Sequence, residues 1–194
     1  MAEDKLAEYR IVAIGGSAGS LDVIFKIVEA LPQQLNASCI IVIHRKSSPD
    51  SILVNLLSTK TSLPVKEVED KEALLPGRIY IAAPDYHLLI EDEHSFSLDS
   101  SEKINYSRPS IDVSFESVAG VFGKAVVGVL LSGASVDGAK GLQNIKSAGG
   151  YTIAQDPASA DMGYMPQQAI SFGQVDAIVN GKDIPAFIRE LLKK

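Results

Sequence analysis

Arg10-Ile11-Val12-Ala13-Ile14-Gly15-Gly16-Ser17-Ala18-Gly19-Ser20 is the stretch that decides the fold class. Arg10 to Ile14 is a short apolar, β-branched run that reads as a strand, and the glycines that follow allow a tight turn. Leu21, Ile24, Phe25, Ile27, Val28 and Leu31 then recur at helical spacing until Pro32, which cannot continue a helix. Cys39 to Ile43 is a second apolar run, closed by His44. A run without polar alternation suits a parallel strand buried on both faces. Strand, turn, helix and strand make a βαβ unit.

Working outward, Asp50 to Leu57 carries another helical pattern behind the starter Ser48-Pro49-Asp50. Between Pro64 and Ser100 the texture changes to short alternating segments such as Arg78-Ile79-Tyr80-Ile81, His87-Leu88-Leu89-Ile90 and Ser95-Phe96-Ser97-Leu98. These read as hairpin-like strands antiparallel to the main sheet. Pro109-Ser110 opens a helix, and Ala125 to Leu131 is the strongest strand of the chain, ending in Ser132-Gly133-Ala134-Ser135-Val136-Asp137-Gly138. A helix to Ala148, a strand Tyr151 to Ala154, a short helix after Pro166, the segment Val175 to Val179 and a helix Ile184 to Leu192 follow. The alternation predicts an α/β protein, a single doubly wound, mostly parallel sheet with helices on both faces and a small antiparallel excursion. Residues 1–194 are expected to form one domain, a size that fits a single core.

Composition narrows the function classes. Lys+Arg 18 against Asp+Glu 24 gives a net charge of −6, and no run of basic residues offsets it, which argues against nucleic acid as a partner. The single cysteine, Cys39, lies in an apolar run; it reads as a buried thiol and excludes an intramolecular disulfide framework. No window approaches the ~20 apolar residues of a membrane span, and the polar start Met1-Ala2-Glu3-Asp4-Lys5 lacks signal-peptide character. A cytoplasmic protein without membrane insertion is the expectation.

Active sites of open parallel sheets gather beyond the carboxyl ends of the strands, where loops converge and helix N-termini point. Three predicted strand ends carry Ser17, His44 and Asp137: a hydroxyl, an imidazole and a carboxylate, the three roles of a serine hydrolase. Gly15-Gly16-Ser17-Ala18-Gly19 also matches G-x-S-x-G, the nucleophile elbow, in its strand-to-helix context. The competing phosphate-binding turn is weakened because Ser17 and Ser20 stand where G-x-G-x-x-G needs glycine. Of the other two histidines, His94 sits in an acidic turn and His87 in a peripheral strand. Asp137 has an ordinary alternative as a turn or N-cap residue, so the coincidence of three roles on one edge carries the reading.

These blocks, together with Leu75-Pro76-Gly77-Arg78-Ile79-Tyr80-Ile81-Ala82, Ser107-Arg108-Pro109-Ser110-Ile111-Asp112, Val129-Leu130-Leu131-Ser132-Gly133 and Thr152-Ile153-Ala154-Gln155, occur in the order seen in CheB chemotaxis protein-glutamate methylesterases, which the chain resembles from about Tyr9 to its terminal helix. The resemblance implies hydrolysis of glutamate γ-methyl esters on methyl-accepting chemoreceptor proteins, glutamine deamidation as a related activity, and no cofactor or metal. It maps the family's triad onto Ser17, His44 and Asp137, with main-chain N–H groups near Ala18 and Ala134 as oxyanion donors. The family usually has methionine where Ala134 stands and Gly-Asn where Ser135-Val136 stand. It also usually carries an N-terminal receiver domain; with the first strand starting near Arg10, and if Met1 is the native start, none is expected here, and control is expected from a separate chain such as a response regulator, or to be absent. Two other readings stay open: a CheB-like binding or scaffold protein with little catalysis, and an esterase or amidase acting on another substrate.

Overall fold

The computed structural model describes residues 9–46, 52–92, 95–173 and 175–193. Ile11–Gly16 forms β1, with every residue buried. Its side chains alternate between two cores: Ile11 and Ala13 face one cluster, Val12 and Ile14 the other. A strand apolar on both faces must lie in the middle of a covered sheet. β2 (Ser38–Ile43) and β7 (Val126–Leu130) flank it, both parallel. The remaining members are β3 (Val65–Glu67), β4 (Ile79–Ile81), β8 (Tyr151–Gln155) and β9 (Ala177–Val179), giving the order β3-β4-β2-β1-β7-β8-β9. All these pairings are parallel among the described residues. β5 (His87–Asp92) and β6 (Ser95–Asp99) make a separate antiparallel pair.

Helices cover both faces, as the alternation predicts. α1 (Leu21–Ala30), α2 (Ile52–Ser58) and α6 (Ile184–Leu191) bury apolar side chains in one cluster. α3 (Ile111–Phe122), α4 (Ala139–Ser147), α5 (Tyr164–Ser171) and the β5–β6 hairpin share the other. The hairpin is fastened to α3 by Ser117, whose Oγ accepts from Ile90 N–H at 2.7 Å and lies 3.2 Å from Ile90 O.

Three details depart from the sequence reading. Arg78-Ile79-Tyr80-Ile81 is not part of a hairpin: β4 is a parallel strand beside β2, and its three residues are too few for periodicity to tell the two apart. β1 runs two residues past Ile14, so Gly15 and Gly16 belong to the ladder rather than to the turn. Glycine is required at 15 because a Cβ there would lie 2.5 Å from Ile111 Cγ2, where α3 crosses the strand. α5 begins before Pro166, not after it; in the first turn a missing N–H forfeits no helical bond. The starter Ser48-Pro49-Asp50 and His94 lie outside the described residues.

Candidate active site

Strand order reverses at β1: the chain lays β2, β3 and β4 on one side, with β3 at the edge, then returns to lay β7 on the opposite side. The loops after β1, β2 and β7 therefore part around one crevice, and these loops carry Ser17, His44 and Asp137.

Asp137 is fully buried, and a buried carboxylate needs compensation. Its Oδ2 accepts from Ile111 N–H at 2.7 Å and lies 2.6 Å from His44 Nε2. Its Oδ1 accepts from Ser110 Oγ at 2.7 Å, Asp112 N–H at 3.1 Å and Asn105 Nδ2 at 3.3 Å. The carboxylate thus sits on the N-terminus of α3, where free N–H groups and the helix dipole favour negative charge. Burial alone would raise its pKa; the bonds from His44, Ile111, Ser110 and Asp112 outweigh burial and hold it below the usual aspartate value. The arrangement is reciprocal. Asp112, in the first turn of α3, accepts from Gly138 N–H at 2.9 Å and Gly141 N–H at 2.6 Å, at the start of α4. Burial, with Asp137 adding like charge, leaves the Asp112 carboxyl raised.

With Oδ2 of Asp137 held by donors, His44 Nε2 carries the proton in this pair and Nδ1 is left bare. The His44 side chain is 14% exposed, enough for its free edge to reach solvent. Ser17 is anchored from behind: its N–H donates to Ser132 O at 2.9 Å, and its carbonyl accepts from Ser20 N–H at 3.1 Å and Ser20 Oγ at 2.7 Å. Ser17 and His44 line one groove of about 600 Å³, walled by Leu21, Ile43, Ile52 and Leu56. No hydrogen bond joins Ser17 Oγ to the imidazole among the described residues; the structure brings them to one groove, and the carboxylate to the far side of the ring.

Ala18 borders the same groove, whereas Ala134 lines an adjoining cavity with Tyr106 and Tyr164. Between them, Gly133 presses on Ser17: a Cβ at 133 would lie 3.1 Å from Ser17 Cβ and 2.5 Å from Met165 Cε. Met165 is fully buried beneath that loop and donates its N–H to Gly133 O at 2.9 Å, so it packs and does not reach the groove. The two residues expected to supply oxyanion donors thus line different hollows.

Sequence reasoning did not assign Ser110, Asn105, Asp112 or His87 to the site. His87 is 1% exposed; its Nδ1 accepts from Ser110 N–H at 3.1 Å and its Nε2 lies 2.9 Å from Glu102 O, which fixes the neutral Nε2–H tautomer. It thereby holds the residue that holds Asp137. The available signal was Ser110 as the opening residue of a helix: N-cap side chains meet whatever approaches a helix start. Among the described residues no group of His, Cys, Asp or Glu is placed to hold a metal, and no helix is long and apolar enough to cross a membrane.

The family model described as CheB methylesterase matches residues 12–188. The chain belongs to the CheB methylesterase family. In structure it is similar to the catalytic domain of the Thermotoga maritima CheB methylesterase, with a TM-score of 0.89 at 33% identity, covering 94% of this chain and 98% of that one. The protein-glutamate methylesterase/protein-glutamine glutaminase of Photorhabdus laumondii is 35% identical over 192 residues, 97% of this chain and 54% of that protein. A Leptospira interrogans protein, given the same pair of activities provisionally, is 40% identical over 182 residues, 93% of this chain and 94% of its own length. The chain therefore spans about half of the Photorhabdus relative and nearly all of the Leptospira one.

Proposed function

We propose that residues 1–194 act as one catalytic domain that hydrolyses glutamate γ-methyl esters on methyl-accepting chemoreceptors in the cytoplasm, releasing methanol, with glutamine deamidation as a second activity. The observation that carries the reading is the 2.6 Å contact of His44 Nε2 with a buried, helix-capped Asp137 at the edge of the groove that Ser17 borders. Membership of the CheB methylesterase family, and the names of relatives that match over nearly the whole chain, support the substrate class.

In this mechanism Asp137 orients the ring and stabilises the imidazolium, so His44 Nδ1 is the nitrogen that takes the proton from Ser17 Oγ. Ser17 attacks the ester carbonyl, the imidazolium returns the proton to the departing methoxide, and methanol leaves from an acyl-enzyme. Water activated by the same nitrogen then releases the glutamate carboxylate. The N–H groups of Ala18, next to Ser17 in the chain, and of Ala134, next to the Gly133 that packs on Ser17, serve as oxyanion donors, a role in which one lost donor costs about 10²–10³ in rate. Methylated receptor incubated with the protein should release methanol, and Ser17→Ala should lower that release about 10⁴-fold or more with the far-ultraviolet circular dichroism unchanged. Receptor binding without methanol release by the unaltered protein would instead favour a scaffold, and release from small esters but not from receptor would favour another substrate.

A further inference from the structure

Beside His44, adjoining the apolar groove, lies a second cleft of about 290 Å³. The chain as a whole carries a charge of −6, yet this cleft is lined by Arg45, Lys46, Lys103 and Arg108, with Asp85 as its one carboxylate. The four cations come from two segments about 60 residues apart in sequence, which is why no basic run announces them. Their charges are unequally committed. Arg45 pairs with Glu67. Arg108 Nη1 is held by two neutral acceptors, Ser100 O and Ser101 O, each at 2.8 Å, which fix the guanidinium without cancelling its charge. Lys46 and Lys103 are exposed and have no ion pair among the described residues. Arg45 and Arg108 each also keep a buried Nε–H with no acceptor among the described residues.

A positive cleft in a negative molecule focuses attraction on whatever enters it. Its wall is shared: His44, Arg45 and Lys46 border both the cleft and the Ser17 groove. A polypeptide whose ester carbonyl sits at Ser17 can therefore lay neighbouring residues across this cleft. Tyr106, 98% exposed and held at φ +63°, also lines the cleft and offers an open aromatic face there.

We propose that this cleft binds carboxylate side chains flanking the reacting glutamate, so that the enzyme prefers acidic segments of its protein substrate. The inference rests on the esterase reading above and names the substrate feature that the same site selects. Rim charges of this kind act mainly on substrate capture and are weakened by salt.

Two synthetic peptides carrying one glutamate γ-methyl ester, one flanked by glutamates and the other by glutamines, test it. The expected ratio of kcat/KM, acidic over neutral, is about tenfold in 20 mM salt, falling several-fold in 0.5 M salt. In the double variant Lys46→Glu, Lys103→Glu the ratio should fall to about one or invert. A ratio near one in the unaltered protein, or an unchanged ratio in the double variant, would overturn the proposal. A second measurement keeps the test separate from the esterase reading. Fluorescence anisotropy of the labelled acidic peptide with glutamine in place of the ester, titrated with Ser17→Ala protein, needs no turnover. Binding that the lysine reversals abolish supports the cleft even where no ester is cleaved, and equal binding of acidic and neutral peptides counts against it.

Discussion

Asp137 takes five hydrogen-bond donors from four neighbouring positions and His44, and each makes a separate demand on the sequence. Ser110→Ala removes one donor and the side-chain cap of Val113 N–H together, so kcat should fall about tenfold while KM changes little. His87 acts one bond further out. His87→Leu leaves the buried Ser110 N–H unpaired and should cost about 1–3 kcal/mol in urea unfolding, whereas His87→Asn, which retains an acceptor, should recover most of it. The two carboxylates give opposite pH signatures. Asp137 is held below its unfolded value, near ~3.9, so the stability it contributes is present above that value and lost as pH falls through the folded one. The stability gap between the unaltered protein and Asp137→Asn should therefore narrow from pH 7 to pH 3. Asp112 is raised, so its ionisation costs the folded state stability as pH rises, and acid should shift the comparison with Asp112→Asn in favour of the unaltered protein. Urea unfolding of both variants at the two pH values checks the signs.

At the scale of elements, α3 does two jobs: its flank packs on β1 and its N-terminus holds the carboxylate. Gly15→Ala would drive a Cβ to 2.5 Å from Ile111 Cγ2 and 3.1 Å from Phe115 Cζ, pushing the helix off the strand. A loss of about 1–3 kcal/mol is expected, with esterase activity falling further than stability alone accounts for, measured by urea unfolding and turnover on one preparation. How much of this was legible follows from what each feature depends on. Runs such as Ile11 to Ile14 and Val126 to Leu130 declare buried parallel strands because both faces are apolar, and the three strand-end residues come with them. The short strands β3 and β4 do not, because three residues carry no period and their place is set by neighbours. Asn105 and His87 were invisible as site residues for a related reason: their role exists only after the hairpin and α3 dock. Ser110 was half legible, as a helix start without a known guest.

Over the whole molecule, one reversal in strand order gathers into one crevice groups that stand 27 and 93 residues apart in sequence. Two core clusters, one on each face of a single sheet, leave no weak plane between halves, so unfolding should be one cooperative transition with circular dichroism and tyrosine fluorescence coinciding. Two separated transitions would break the single-domain reading. Burial pushes the Cys39 thiol up to about 12, so thiol reagents should label the protein only as it unfolds. The central claim is that the Ser17 hydroxyl, activated by His44, becomes covalently acylated. Reaction with a fluorophosphonate followed by peptide mass spectrometry tests this most directly. The account predicts one adduct per chain, on the peptide bearing Ser17, formed far more slowly in His44→Ala. Methanol release persisting in protein whose Ser17 stays unmodified, or an adduct on a different residue that accompanies inhibition, would contradict it.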